Sequence, residues 1–241
     1  MNLLVLCQKS ADTASVEGKQ TVANTTDADR LESFASGAIA AMIILQKDAT
    51  YTFRSYFELP NDTDEIVQAL GYRYAQKRIE LPKSRAEIPE LNALKQRIER
   101  ILPHVQLTSE AAKREVLVAP VLTEVAAICN QTLRFEYLLK VNNWLQGSLD
   151  YLIRAKSQIV VVEAKRDDLT RGFTQLAAEM IALGMVEDAP QKIHGAVTIG
   201  SLWIFGVLDR ETKEIVQDIS GYRVPDDLED LMRVLVGILG Q

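Results

Sequence analysis

Three strand-like segments follow one another between residues 133 and 165, and the last of them contains the run IVVV at residues 159–162. Four consecutive β-branched apolar residues are typical of a strand that is buried on both faces of a sheet. The run leads directly into Glu163, Ala164 and Lys165. Because successive side chains of a strand alternate in direction, Glu163 and Lys165 are expected to share one face at the end of a rigid strand.

The periodicity of the remaining chain predicts helices around these strands. The helices are expected over 61–71, 89–102, 108–128, 170–184 and 227–239, and further strands over 72–81, 194–209 and 214–224. Pro120 lies inside the third helix and should kink or split it. This order of elements favours an α/β or α+β domain over residues 108–241. Residues 36–107 are interpreted as a small N-terminal extension of helices and a strand, and the polar, aperiodic residues 1–35 as a disordered tail.

The composition limits the class of protein. A chain of 241 residues with 47% apolar content can bury one sizeable core. No stretch approaches the roughly 20 apolar residues that span a bilayer, so no membrane partner is expected. The first residues lack the positively charged start of a secretory signal. Two cysteines, Cys7 and Cys129, cannot form a disulfide framework or a zinc site, which favours a reduced, cytoplasmic protein.

The charge is unevenly distributed. A net charge of −6 argues against nucleic-acid binding by the whole surface. Residues 72–102 nevertheless carry eight Lys and Arg against four Glu, a local charge of +4. Tyr72 and Tyr74 lie among these cations, so the segment could follow a phosphate backbone and flank an acidic cleft. The alternative is an ordinary solvated strand and helix surface.

A second carboxylate, Asp150, lies on the strand before residues 159–162, with 12 residues between it and Glu163. Two antiparallel neighbours joined by a tight turn would bring Asp150 next to Glu163 and Lys165. A pair of carboxylates suits Mg²⁺, which usually takes one or two carboxylates and keeps several waters. Lys165 could then hold a water molecule or stabilise a phosphate, which is the chemistry of phosphodiester hydrolysis.

The stretch Gly-Ser-Leu-Asp at 147–150, followed by Glu-Ala-Lys at 163–165, resembles the PD-(D/E)xK nuclease superfamily, in particular the nuclease domain of type I restriction enzyme R subunits. The resemblance covers about residues 108–240. It implies a restriction-endonuclease-like αβββαβ core with a central mixed sheet flanked by helices. Ser148 and Leu149 stand where many members carry Pro, at a position that is loosely kept.

The resemblance also implies roles for individual residues. Asp150 and Glu163 would bind Mg²⁺, or Mn²⁺ in its place, and Lys165 would be the catalytic base or an electrostatic stabiliser. Gln175, on the helix after the third strand, would face the active site. One more Glu comes from the first helix of the family; Glu115 is the first choice, with Glu110 and Glu124 as alternatives. The implied activity is a Mg²⁺-dependent nuclease that hydrolyses phosphodiester bonds of DNA; endo or exo action, RNA as a substrate and a homodimer are left open.

Simpler interpretations accompany these assignments. A Glu-x-Lys pair at a strand end is most often a solvated salt bridge. Glu179 lies one turn after Gln175 and is expected on the helix surface. Trp203 and Phe205 are expected in the strand core, and His104 and His194 are treated as structural. The competing function is a catalytically inactive module of the same fold that binds nucleic acid or a partner protein.

Overall fold

In the computed structural model of the chain, the structure describes residues 44–155 and 158–240. These residues form a mixed α/β fold with a seven-stranded mixed sheet flanked by helices, which confirms the expected class and the central mixed sheet. The predicted tail, residues 1–35, and the first part of the predicted extension, residues 36–43, lie outside the described residues.

The strands are β1 (Arg73–Lys77), β2 (Leu133–Lys140), β3 (Gln146–Arg154), β4 (Ile159–Ala164), β5 (Lys192–Thr198), β6 (Leu202–Asp209) and β7 (Glu214–Arg223). Their order across the sheet is β1-β7-β6-β5-β4-β3-β2. The pairs β1–β7 and β4–β5 are parallel, and the other neighbours are antiparallel. The run of β-branched residues therefore belongs to β4, which has a strand on either side.

The helices are α1 (Phe53–Glu58), α2 (Thr63–Ala69), α3 (Leu91–Ile101), α4 (Glu110–Lys113), α5 (Ala119–Ile128), α6 (Leu169–Gly184) and α7 (Leu228–Leu239). A 3₁₀ turn, Leu102–His104, follows α3, and a π-helical turn, Arg114–Val118, joins α4 to α5. The predicted disruption near Pro120 is confirmed, because the π-helical turn ends at Val118 and a new helix begins at Ala119, with Pro120 in its first turn. Proline has no N–H for the carbonyl of residue 116, so regular α-helical bonding cannot continue through it.

The predicted three-stranded meander is confirmed. Strands β2, β3 and β4 are antiparallel neighbours in chain order. Helix α6 then crosses the sheet and returns the chain to β5, which runs parallel to β4. A parallel pair needs such a crossover, because a tight turn can join only antiparallel strands.

Two apolar clusters cover the two faces of the sheet. One lies between the sheet and helices α3, α5 and α7, and includes Val160 and Val162 of β4. The other lies between the sheet and helices α1, α2 and α6, and includes Val161. Burial of alternate valines in opposite clusters explains why this strand has no polar face until Glu163.

The segment before residue 108 contributes directly to this architecture. Strand β1 pairs with β7 and forms one edge of the sheet, and α1 and α2 pack on the outer side of α6. A buried hydrogen bond of 2.7 Å joins the hydroxyls of Thr63 on α2 and Thr174 on α6. Helix α6 is therefore covered on both sides, and all residues from Gly172 to Gly184 are buried.

Within the two described ranges, no helix has the length and apolarity required to cross a bilayer.

Candidate active site

Strands β3 and β4 place Asp150 and Glu163 side by side. Tyr151 pairs with Val162, so one residue further along the ladder Asp150 lies opposite Glu163. Oδ2 of Asp150 accepts a hydrogen bond of 2.9 Å from the backbone N–H of Ala164. The structure thus brings together the two carboxylates whose spacing predicted a shared site.

A third carboxylate lies on the next strand. Continuing the β2–β3 ladder by one residue from the pair Phe135–Tyr151 places Glu136 opposite Asp150. Glu136 has a φ of +49°, a left-handed conformation that is uncommon for residues other than glycine. The guanidinium of Arg114 lies between these acids, with nitrogens 3.6 Å from Oε1 of Glu136 and 3.6 Å from Oδ1 of Asp150. Arg114 therefore screens two carboxylates that would otherwise repel each other.

Lys165 is held against Glu163. Its Nζ lies 2.6 Å from Oε1 of Glu163, and the two side chains are 11% and 2% exposed. The Nζ also lies 4.7 Å from the ring centroid of Phe57 on α1, a cation–π distance. The stem of Lys165 passes Gly172 on α6, where a Cβ would come within 2.9 Å of the Lys165 Cγ. The pair is therefore a buried, confined ion pair, and the solvated salt bridge considered from sequence is wrong.

Gln175 faces the site, as predicted, and connects it to a deeper acid. Its Nε2 donates to Oε1 of Glu163 at 2.7 Å and to Oε1 of Glu179 at 2.9 Å. The expectation that Glu179 lies on the helix surface is wrong, because its exposed fraction is 0%. The physical reason is that Glu179 shares the helix face of Gln175, which contacts Glu163 on β4, so Glu179 points toward the sheet and not to solvent.

Burial raises the pKa of both Glu163 and Glu179. Desolvation, together with the charge of Asp150, raises the pKa of Glu163 to about 7. Desolvation and the charge of Glu163 raise the pKa of Glu179 well above its ordinary value. Oε2 of each glutamate is buried without a hydrogen-bond partner among the described residues. An unsatisfied buried carboxylate oxygen is costly, so these atoms are available for a proton or a cation.

Asp150 and Lys165 respond to burial and to their neighbours in opposite ways. Burial raises the pKa of Asp150, although the Ala164 N–H, Arg114 and Lys165 partly offset it. Burial by itself would lower the pKa of Lys165, but the charges of Glu163, Asp150 and Glu110 outweigh it and raise this pKa. Lys165 is therefore a charged ammonium at neutral pH while it faces the carboxylates.

The three acids proposed from the first helix occupy different environments. Glu115, the first choice, is exposed, and its charge acts on the Tyr151 hydroxyl. Glu110 is half-buried, and its charge acts on Lys165. Glu124 is half-buried and lies nine residues after Glu115. Of the three, Glu110 is the one whose charge reaches the Glu163–Lys165 pair, and a metal-binding role for any of them stays a prediction.

Other residues singled out from sequence lie away from this site. Trp203 and Phe205 are fully buried, which confirms their assignment to the core. His194 is buried on β5, with burial lowering its pKa to about 4, and His104 ends the 3₁₀ turn. The strand of the basic segment, β1, lies at the far edge of the sheet with three strands between it and β4. The predicted position beside the acidic site is therefore wrong for this strand, whereas α3, which carries Lys95, Arg97 and Arg100, contacts the Arg114–Val118 turn.

The fit of a divalent metal depends on Asp150 and Glu163. Among the described residues there is no group of three or more His, Cys, Asp or Glu side chains arranged to hold an ion. Two adjacent carboxylates, one with an unpartnered oxygen, nevertheless match the usual protein contribution to a Mg²⁺ site, in which waters complete the shell. The donor set, oxygen only, is that of a hard cation.

Sequence inspection missed several contributors to the site. Arg114, Glu136 and Phe57 come from other elements, and no local pattern relates them to Asp150 or Lys165. Glu179 had a signal, since an acid in the run QLAAEMIAL interrupts an otherwise apolar helix. For Gly172 the only sequence signal was its position three residues before Gln175.

No model of a protein family matches the chain, and a search of curated proteins finds no match. The assignment of function rests on the arrangement of the site and on the resemblance of its motif.

Proposed function

We propose that the chain is a Mg²⁺-dependent nuclease that hydrolyses phosphodiester bonds of DNA. The observation that carries the proposal is the convergence of Asp150, in the middle of β3, with Glu163 and Lys165 at the end of the neighbouring strand β4. The order of helix, three antiparallel strands, helix and parallel strand supports a restriction-endonuclease-like core over residues 108–241. Gln175 on the helix facing the pair adds to the same pattern.

In this proposal each side chain has a distinct task. Asp150 and Glu163 would hold the metal, which supplies Lewis-acid polarisation of the phosphate and a more acidic bound water. Lys165 lies on the same strand end and carries a positive charge that can orient a water or stabilise negative charge on the phosphate. Gln175 fixes the Glu163 carboxylate by donating to Oε1, so its other oxygen keeps a defined direction.

The alternative is an inactive module of the same fold. The observation in its favour is that the charges are already paired: Lys165 contacts Glu163, and Arg114 contacts Asp150. Carboxylates that are already paired with Lys165 and Arg114 could have a purely structural role. The buried Glu179 favours the enzyme, because a third acid at this depth adds desolvation cost that a binding module does not require.

The test combines metal binding with cleavage. Mn²⁺ and Mg²⁺ titrations by calorimetry should show a site in the wild type that Glu163→Gln and Asp150→Asn each weaken strongly. Labelled DNA incubated with Mg²⁺ should be cut by the wild type and by neither variant. Glu229→Gln, which removes an exposed acid that pairs with Arg233 on α7, is the matched control and should behave as wild type.

Equal cleavage by the wild type and by Glu163→Gln, prepared identically, would identify a contaminating nuclease and refute the proposal. A wild type that binds neither ion would favour the inactive module.

A further inference from the structure

A cavity of about 950 Å³ lies on the sheet face that also carries α3, α5 and α7, and the described residues that line it come from strands and loops. Its floor is formed by His194, Val207 and Val216, which are paired neighbours on β5, β6 and β7. His194 and Val207 each lie two residues from a member of the apolar cluster on that face, Ala196 and Phe205. The volume falls within the range of roughly 300–1,000 Å³ that is usual for small-molecule sites.

The cavity is separate from the candidate active site. Glu163 meets Gln175 of α6 on the opposite face of the sheet. The residue of β5 that pairs with Glu163 is Val197, three residues beyond His194. The floor and the acidic site therefore lie on opposite faces and toward opposite ends of the two parallel strands.

Hydrogen bonds hold two walls of the cavity in place. One wall consists of residues 78–82, and just beyond it Ser84 donates its N–H to the carbonyl of Arg233 at 2.9 Å and accepts from the Arg233 guanidinium at 3.1 Å. The facing wall includes Gln191, whose carbonyl accepts from the backbone N–H of Arg210 at 2.9 Å. The cavity is thus built into the fold, as ligand sites usually are.

Two side chains that line the cavity carry buried polar atoms that lack a hydrogen-bond partner within the described ranges. These atoms are Nδ1 of His194, a residue that is 6% exposed, and Oε1 of Gln158. Gln158 lies two residues before Val160, which pairs with His194, so the two side chains belong to neighbouring strands. Burial lowers the pKa of His194 to about 4, so its neutral ring offers one N–H and one lone pair. Leaving such atoms unpaired is costly, and a ligand that bonds to them removes this cost.

Two cations of the cavity are free to bind an anion. Lys77 lies 3.8 Å from Glu214, and Asp209 accepts hydrogen bonds from N–H groups of its own turn. Arg78 and Lys192 are exposed and belong to no ion pair of the residues that the structure describes. Guanidinium and ammonium groups in such a position are suited to phosphate.

The three features define one class of ligand. The valine floor is flat and apolar, which suits the face of a planar ring. The unpartnered amide oxygen and imidazole nitrogen suit the polar edge of a heterocyclic base. The two free cations outnumber the one remaining acid of the lining, Glu80, which suits a phosphate and opposes a metal ion. A purely apolar ligand would leave His194 and Gln158 unsatisfied.

We propose that this cavity binds a nucleoside monophosphate. The base lies against Val207 and Val216 with its polar edge on Gln158 and His194, and the phosphate lies at Arg78 and Lys192. The inference is independent of the proposed nuclease function, because the cavity shares no residue with the candidate active site.

The experiment is calorimetry of the full chain in EDTA with AMP, GMP, CMP and UMP as probes. At least one nucleotide should bind, and about tenfold or more tightly than its nucleoside and than ribose 5-phosphate. Lys192→Ala should weaken it about tenfold to 100-fold, the range for loss of a hydrogen bond to a charged group. Lys140→Ala, which removes an exposed lysine of β2, is the matched control and should leave the affinity unchanged.

A second variant tests the base-binding end. Gln158→Leu keeps a similar volume but removes the amide, so it should weaken the nucleotide and its nucleoside by about the same factor and leave ribose 5-phosphate unaffected. Thermal melting checks that each variant is folded. Glu163→Gln should bind the nucleotide as the wild type does, because it alters the other face of the sheet.

Four results would each overturn the inference. They are the absence of binding by all four nucleotides at millimolar concentration, an affinity for ribose 5-phosphate equal to that for the nucleotide, an affinity unchanged in both Lys192→Ala and Gln158→Leu, and loss of binding in Glu163→Gln. The last result would place the nucleotide in the candidate active site.

Discussion

Glu163 on β4 and Glu179 on α6 share a single hydrogen-bond donor, the Nε2 atom of Gln175, at 2.7 Å and 2.9 Å. Both carboxyl groups are buried, and burial raises both pKa values; the charge of Glu163 raises the pKa of Glu179 further, whereas Glu179 lowers the pKa of Glu163. The side-chain amide of Gln175 thus links β4 to α6 by donating to one carboxyl group from each element. The arrangement makes proton binding, metal binding and stability interdependent at this position.

Replacement of Glu163 by Gln should stabilise the fold at neutral pH. The folded-state pKa of Glu163, about 7, exceeds its ordinary value of 4.5, so the folded protein binds the extra proton between these values. The stability contributed by this group is therefore complete below about pH 4.5 and is lost as the pH rises through 7. At about 1.4 kcal/mol per pKa unit, the loss is on the order of 3 kcal/mol.

Urea unfolding from pH 4.5 to 8 would measure this effect as the difference between wild type and Glu163→Gln. Taking the difference removes the contribution of His194, which is the same in both proteins. Burial lowers the pKa of His194 to about 4, so the stability that it contributes is lost as the pH falls below about 6.5, opposite to the trend for Glu163. A variant no more stable than the wild type at pH 8 would contradict the raised pKa.

Metal affinity should increase with pH. A cation needs the Glu163 carboxylate deprotonated, and its pKa of about 7 means that a proton competes with the metal near neutrality. Mn²⁺ dissociation constants measured by calorimetry should therefore tighten by about tenfold from pH 6 to pH 8. Affinity that is constant over this range would show that the ion binds away from Glu163.

Lys165→Ala should slow DNA cleavage by about 10²–10³-fold while Mn²⁺ still binds, because the ammonium orients the water or stabilises charge on the phosphate and does not bind the metal. Single-turnover cleavage rates and calorimetry provide the two measurements. Lys47→Ala, which removes an exposed lysine, is the control. Loss of metal binding together with activity would instead indicate that Lys165 maintains the shape of the carboxylate pair.

Gly172→Ala should impair cleavage more than it impairs folding. A Cβ at residue 172 would lie 2.9 Å from the Cγ of Lys165 and 2.8 Å from the Cγ2 of Val197, so Lys165 must move. We expect a cleavage rate lowered about tenfold or more, since small displacements of a catalytic group are costly. Gly184→Ala, in the last turn of the same helix, has its closest contact at 3.1 Å from Leu208 and serves as the control. Equal rates in both variants would contradict this account.

The sequence by itself determined the meander, the crossover helix and the pairing of Asp150 with Glu163. These features follow from local periodicity: alternation fixes which residues share a strand face, and tight turns between strands make neighbours antiparallel. The position of Gln175 toward the site was expected from the resemblance of the motif and not from periodicity. For this part of the chain, short-range pattern and final structure agree.

The tertiary structure alone decided the burial of Glu179, the position of Arg114 between Glu136 and Asp150, and the place of β1 at the far edge of the sheet. Each depends on residues distant in sequence: Glu179 faces Glu163 on β4, the π-helical turn brings Arg114 to β3, and β7 pairs with β1. Amphipathic patterns state which residues are apolar but not which elements will cover them. Burial, and with it the pKa of each acid, is set only when the distant segments pack together.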